Sequence, residues 1–239
     1  MLLAIIRQKV SKPNSIPDCY ILSYTPSLSA LIKARSGLVP RTTNPNLLVI
    51  AQPDETIPMV NEEIGHIQQF LNNADILVGR DANHDTVLSG LRTHSWMHFA
   101  CHGHLSNQPF HSFFQPHDHS RLELVKLIPA QFPGAELAFL SACHTAAGDM
   151  VGTPDEVIRV HLAAALRFCG FRSVVGTLWA MEDVDGCDVT KDFCQRMFLI
   201  PGAVPDFRDS AEALHLATRA MRKRGLGLDP WVKFVHVGA

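Results

Sequence analysis

The sequence predicts an α/β fold built on a mostly parallel sheet. From Cys19 onward, short apolar runs alternate with helix-like segments, which is the pattern of parallel strands joined by right-handed crossover helices. Some of the runs are apolar throughout, for example Leu47 to Ala51, and such strands are covered on both faces of a sheet.

The elements follow one another along the chain with clear boundaries. Strands are predicted at 19–24, 46–51, 75–78, 96–100, 122–124, 137–140, 173–178 and 231–237. Helices are predicted at 26–35, 60–71, 81–94, 154–169, 187–199 and 210–224. The helix at 154–169 has the strongest start signal, because Thr153 supplies a cap and Pro154 suits the first helical position. Residues 101–121 break the alternation and are predicted to form a long loop beside the site.

Two of the apolar runs end at side chains that can do chemistry. The strand at 96–100 is followed by a Cys-His-Gly-His segment that contains His102. The strand at 137–140 is followed by a Ser-Ala-Cys-His-Thr segment that contains Cys143. Because ligands collect beyond the carboxyl ends of parallel strands, neighbouring strands would bring both residues to one edge.

A thiol beside an imidazole can support nucleophilic catalysis, since the imidazole takes the proton and leaves a thiolate. His102 and Cys143 are therefore a candidate catalytic dyad. The backbone N–H groups of Gly103 and Cys143 are candidate donors to the oxyanion of a tetrahedral intermediate. The alternative is that Cys143 is a small buried hydrophobe and His102 an ordinary loop histidine. Their occurrence at two successive strand ends favours the catalytic interpretation.

Four other residues compete with the dyad because they are close to it in the chain. His144 and Cys101 are adjacent to the proposed pair, but neighbouring side chains diverge, which places His144 poorly for activating a thiol. His98 and His104 flank the candidate base, and the sequence leaves both open.

Trp179 and Asp183 are candidates for a substrate pocket because they follow the strand at 173–178. If this strand lies beside the strand that precedes Cys143, both side chains would line the same cleft. A carboxylate there would select a basic substrate side chain. The alternative is that Asp183, with its acidic neighbours, merely begins the next helix.

Composition excludes several classes of protein. The formal net charge is −2, from 21 basic and 23 acidic side chains, and no polybasic run occurs, which argues against nucleic acid and anionic membranes as partners. No apolar stretch approaches the roughly 20 residues that span a membrane, and the first residues make a poor signal peptide. The six cysteines form no disulfide framework, so a reducing compartment, the cytoplasm, is expected. Serine-hydrolase and phosphate-loop motifs are missing.

A histidine-rich region raises the alternative of a metal-dependent hydrolase. Seven of the 13 histidines lie between positions 94 and 119. The region lacks both a clear helical His-x-x-x-His and paired Cys-x-x-Cys motifs, so we expect neither a metal nor another cofactor.

Several blocks, taken in order, resemble a CHAT domain, a caspase-like cysteine peptidase domain. They are Tyr24-x-Pro26-Ser27, His98-Phe99-Ala100-Cys101-His102-Gly103, Leu140-Ser141-Ala142-Cys143-x-Thr145, Ala164 to Trp179, Asp183 and Trp231-x-x-Phe234-Val235-His236-x-Gly238. The resemblance implies a caspase-like αβα sandwich, a His102–Cys143 dyad and hydrolysis of peptide bonds. It also implies association with tetratricopeptide repeats, as a partner or as a missing fused region.

The resembling part covers residues 19–239, which we expect to form the CHAT domain. Residues 1–18 have no clear assignment, because the strand at 2–6 has no obvious partner nearby, and they fit a truncated domain start. The leading hypothesis is a partner-regulated cysteine endopeptidase acting on a protein or peptide substrate. The alternative is a catalytically silent domain of the same type that serves interaction or signalling.

Overall fold

A computed structural model describes most of the chain. The described residues are 2–7, 20–38, 41–104, 106, 108–117, 121–141, 155–178, 181–199 and 203–238, with the backbone alone at 2–7, 109 and 155–161. The strands in these ranges are β1 (Leu2–Arg7), β2 (Tyr20–Thr25), β3 (Leu47–Ala51), β4 (Asp75–Val78), β5 (Trp96–Ala100), β6 (His102–His104), β7 (Phe113–Gln115), β8 (Leu122–Glu123), β9 (Leu137–Leu140), β10 (Ser173–Thr177) and β11 (Phe234–Gly238). The α-helices are α1 (Leu28–Arg35), α2 (Val60–Phe70), α3 (His84–Thr93), α4 (Leu124–Ala130), α5 (Asp155–Cys169), α6 (Asp183–Phe198), α7 (Ser210–Lys223) and α8 (Asp229–Val232).

The main sheet has eight strands in the order β1-β2-β11-β10-β9-β5-β3-β4. Pairing is antiparallel between β1 and β2 and between β10 and β11, and parallel at every other position of the described sheet. The mostly parallel sheet is therefore confirmed. The expectation that the strand at 2–6 lacks a nearby partner is wrong, because Leu2 lies opposite Thr25 and Arg7 opposite Tyr20.

Helices cover both faces of this sheet, because successive strand residues point to opposite sides. On one side Ile50 and Phe99 pack into a core shared with α3, α4 and α5. On the other side Val49 and Phe139 pack into a core shared with α2, α6 and α7. Each of these four side chains is at most 3% exposed. The fold is an αβα sandwich, as expected.

Residues 101–121 differ from the predicted long loop. Their described part contains β6 and β7, which pair antiparallel, and β8 completes a three-stranded sheet. The ring of Phe114 is fully buried and lies 4.7 Å from the ring of Phe99. This stacking fastens the small sheet to β5, so His102 lies on a strand and not in an open loop.

The start of one helix and the start of the last strand differ clearly from the predictions. Helix α6 begins at Asp183, four residues earlier than predicted, because the acidic side chains of Asp183 and Asp185 suit the positive end of the helix dipole. The last strand begins at Phe234, after the short helix α8. The predicted cap at Thr153 lies outside the described residues. Among those described, no helix is both long and apolar enough to cross a membrane.

Candidate active site

The ends of β5 and β9 form the edge of the sheet where the sequence predicts chemistry. The two strands are parallel neighbours, with Phe99 opposite Leu140. The N–H of Ser141 donates to the Phe99 carbonyl at 2.9 Å, so the pairing continues to the last described residue after β9. His102 and Ser141 thus leave the sheet at the same edge. Cys143 follows Ser141 by two positions and lies outside the described residues, so its approach to His102 stays a prediction.

His102 is held by a partner that the sequence did not reveal. Its Nε2 lies 2.6 Å from Oδ2 of Asp54 and 3.3 Å from the hydroxyl oxygen of Thr56. Its side chain is 12% exposed. The other ring nitrogen, Nδ1, is buried and has no hydrogen-bond partner among the described residues.

Asp54 is itself fixed by the loop between β3 and α2. Its Oδ1 accepts from the N–H groups of Thr56 and Ile57, at 2.8 and 3.1 Å, and from the Thr56 hydroxyl at 2.6 Å. The start of this loop is tied to β5, because the N–H of Gln52 donates to the Ala100 carbonyl at 2.9 Å. The second carboxylate oxygen is therefore presented to His102 by a preformed turn.

The electrostatics of this pair determine which nitrogen of His102 is protonated. Burial alone would raise the pKa of Asp54, but hydrogen bonds from Thr56 and His102 lower it to about 2. Near neutral pH the carboxylate is ionised and can only accept a hydrogen bond. A neutral imidazole bound to this carboxylate carries its proton on Nε2, which leaves Nδ1 with a free lone pair. Nδ1 is thus the nitrogen able to act as a base.

The sequence contains one signal that points to Asp54. This residue follows the buried strand β3 as His102 follows β5, and β3 and β5 are parallel neighbours. An Asp-x-Thr segment after a strand also favours a turn in which the carboxylate binds nearby N–H groups. Pro53 indicates only that the strand ends here, so the sequence alone did not identify Asp54 as a partner of His102.

Three of the four alternative site residues are buried or engaged in contacts that distinguish them from His102. His98 is buried within β5 and its Nε2 lies 2.8 Å from Oε1 of Glu63, away from the sheet edge. The thiol of Cys101 is buried in the core that contains Phe99. His104 stacks on Phe113 with ring centres 4.6 Å apart, and burial, followed by the charge of His102, lowers its pKa. His144 lies outside the described residues.

The structure describes two of the three remaining candidates, Gly103 and Asp183. Gly103 is buried in β6 opposite Phe114, and its function as an oxyanion donor stays a prediction. Strand β10 lies beside β9, as a shared cleft requires. Asp183 begins α6, and its Oδ2 accepts from the Met59 N–H at 2.5 Å, which links it to the loop that carries Asp54. Trp179 lies outside the described residues.

Metal binding in the histidine-rich region receives no support from the described residues. Where the structure describes the histidines between positions 94 and 119, they take part in no cluster of three potential metal ligands.

Comparison with solved structures relates the fold to cysteine peptidases. The separase of the Saccharomyces cerevisiae separase–securin complex matches with a TM-score of 0.57 and 15% identity, over 90% of this chain and 14% of that one. The Arg-specific cysteine proteinase gingipain R matches with a TM-score of 0.50 and 11% identity, over 88% of this chain and 50% of that one. The complex of Porphyromonas gingivalis RgpB pro- and mature domains gives a TM-score of 0.53 and 10% identity, over 83% and 49% of the two chains. The chain therefore spans only a seventh to a half of these proteins, and at such identities the likeness concerns the fold.

A search of curated proteins gave no significant match. The family model of the CHAT domain matches residues 16–239, almost the whole length. With its caspase-like αβα sandwich and its histidine at the end of a central strand, the chain belongs to the CHAT domain family.

Proposed function

We propose that this protein is a cysteine endopeptidase in which His102 activates Cys143 and Asp54 positions His102. The observation that carries the proposal is the orientation of His102 at the sheet edge. Its protonated Nε2 is bound to Asp54, while its basic Nδ1 has no partner among the described residues. In this proposal Cys143 acts from the segment that follows Ser141, since two residues reach at most about 7 Å.

The chemical steps follow from this orientation. Nδ1 takes the proton of the Cys143 thiol, and the thiolate sulfur attacks the carbonyl carbon of the peptide bond. The resulting oxyanion would accept hydrogen bonds from the backbone N–H groups of Gly103 and Cys143. The imidazolium then gives its proton to the leaving amine, and water hydrolyses the acyl-enzyme. The charge of Asp54 stabilises the imidazolium throughout.

Substrate selection is assigned in this proposal to Trp179 and Asp183. A carboxylate near the cleft favours a basic side chain before the scissile bond, and gingipain R, a structural relative, is described as Arg-specific. In Asp183→Asn we expect the preference for arginine over norleucine at this position to fall by about tenfold, in peptides that are otherwise identical. If the preference for arginine is unchanged, Asp183 does not contribute to the substrate pocket.

The proposal includes a cytoplasmic location and regulation by a protein partner that contains tetratricopeptide repeats. Three cysteines in the described part are free thiols, at positions 169, 187 and 194, which supports a reducing compartment. The separase–securin complex provides an analogy for the binding of a protein partner.

The test follows the alkylation of Cys143 by iodoacetamide against pH, measured by mass spectrometry of the peptide that contains it. A free thiol has a pKa of about 8.5, and an imidazole partner commonly lowers it by about one unit or more. The parent should therefore react at lower pH than His102→Ala, and Cys143→Ala should abolish peptide cleavage. If the alkylation profiles of the parent and His102→Ala coincide, the chain is a catalytically silent interaction domain, which is the alternative hypothesis.

A further inference from the structure

Three side chains with metal-binding atoms converge between α2 and α6, away from the candidate dyad. Glu62 and His66 lie four residues apart on α2, and therefore on the same face of that helix. Cys187 lies in the second turn of α6. One ligand atom from each residue lies within 4.8 Å of the other two.

This set of atoms has the composition of a zinc site. Zinc binds thiolate sulfur at about 2.3 Å and imidazole nitrogen or carboxylate oxygen at about 2.0 Å, so tetrahedral ligands lie about 3.3 to 3.7 Å apart. A closure of about 1 Å would complete the site. Glu62 can supply it by rotation, because its side chain is 59% exposed. Three protein ligands leave the fourth position to water.

His66 supplies the second observation. Its Nδ1 is buried without a hydrogen-bond partner in the described part of the chain, and its Nε2 lies 3.6 Å from Glu62, which is too far for a hydrogen bond. Its side chain is nevertheless only 12% exposed. Leaving buried polar groups unsatisfied is costly, and coordination of a cation would satisfy one of the two ring nitrogens.

The local electrostatic potential also favours a cation. Four carboxylates act on the Cys187 thiol with their negative charge, those of Glu63, Glu62, Asp188 and Asp183. A divalent cation would neutralise this negative surrounding, and a coordinated thiol loses its proton.

We propose that Glu62, His66 and Cys187 bind one zinc ion that links α2 to α6. The ion would also stabilise the loop that carries Asp54. This loop leads directly into α2, and Met59 at the end of the loop donates its N–H to Asp183 of α6. The site rests on the packing of two helices and does not depend on the proposed peptidase activity.

The test measures zinc and cobalt binding to the full chain. Competition with a chelator should show one tight equivalent of zinc, and Co²⁺ should produce a thiolate-to-cobalt charge-transfer band. Cys187→Ser should lose the band and weaken zinc binding by at least about tenfold, and His66→Gln should weaken it similarly. Glu62→Gln provides a variant at an exposed position, and it should also reduce the affinity.

Two control variants identify the site. Cys194→Ser removes another buried thiol of α6, seven residues further along, and should retain both zinc and the cobalt band. Cys143→Ala removes the proposed nucleophile and should also retain them, so failure of the peptidase proposal would leave this result intact. The inference is overturned if the parent binds no stoichiometric zinc, or if Cys187→Ser and His66→Gln bind it as tightly as the parent does.

Discussion

The carboxylate Oδ2 of Asp54 lies 2.6 Å from Nε2 of His102, although the two residues are 48 positions apart. Each residue follows a different strand, and the parallel pairing of β3 with β5 brings the two together. This contact orients the imidazole and assigns its proton to Nε2. The chemistry available at the sheet edge therefore depends on a residue from the neighbouring loop.

Asp54→Asn should reduce peptide cleavage by about a hundredfold or more. The amide keeps the shape of the carboxylate but removes the charge that stabilises an imidazolium, and its NH₂ group can favour the wrong tautomer. The alkylation profile of Cys143 should also shift to higher pH, which a purely structural role of Asp54 would not cause. The measurements are kcat/KM on a cleaved peptide and the rate of alkylation against pH.

Glu55→Gln is the matched control for this variant, because Glu55 is the exposed carboxylate next to Asp54. It should leave both measurements within about twofold of the parent, as expected for exposed positions. Equal losses in the two variants would show that general charge at this edge, and not the contact with His102, is responsible.

The strands of the central sheet could be predicted because burial on both faces requires apolar residues at every position. The bounds of β5 and β9, in which every residue is buried, agree with the predictions to the residue. Strands β6 and β7 could not be predicted, since each has three residues and depends on the stacking of Phe114 on Phe99. Sequence patterns of period two need longer strands than these.

The site could be predicted only where a residue's own segment identifies it. His102 directly follows an apolar run, so its place at the sheet edge follows from the alternation of strands and helices. Asp54 follows such a run too, but its role depends on a partner from another strand, and no local pattern encodes that pairing.

His236 should make the protein less stable as the pH falls from about 6.5 towards 3. Complete burial, followed by the charge of Arg167, lowers its pKa from 6.5 to about 3. Between these values the unfolded state binds a proton that the folded state excludes, so the free energy of unfolding decreases with decreasing pH. In His236→Gln this pH dependence should be shallower by up to about 1.4 kcal/mol per pH unit. Urea unfolding at pH 7, 6, 5 and 4 measures it, and equal slopes would contradict the prediction.

The ion pair of Lys233 with Asp185 should show strong coupling in a double-mutant cycle. Their side-chain atoms lie 3.1 Å apart and Lys233 is 1% exposed. Lys233→Met leaves the Asp185 carboxylate unpaired, and we expect a loss of about 3 kcal/mol in the free energy of unfolding. Adding Asp185→Asn should recover part of this loss, because no buried charge remains.

Lys191→Met is the control for this cycle, since it removes an exposed cation from α6. It should change the free energy of unfolding by less than about 0.5 kcal/mol. The two buried charges are not coupled if Lys233→Met changes the free energy of unfolding as little as Lys191→Met does. They are also not coupled if the double variant loses the sum of the two single losses.

Gly170→Ala should destabilise the fold by about 3 kcal/mol, because this glycine has a backbone conformation that side chains rarely adopt. Its φ is +121°, and an added Cβ would lie 2.5 Å from the carbonyl oxygen of Phe132. That contact cannot relax easily, since the N–H of Phe132 donates to the Cys169 carbonyl at 2.6 Å. Gly134→Ala is the matched control, because a Cβ there meets no atom within 4 Å in the described structure. Thermal and urea unfolding of both variants measure the difference, and equal stabilities would show that the turn after α5 accepts a side chain.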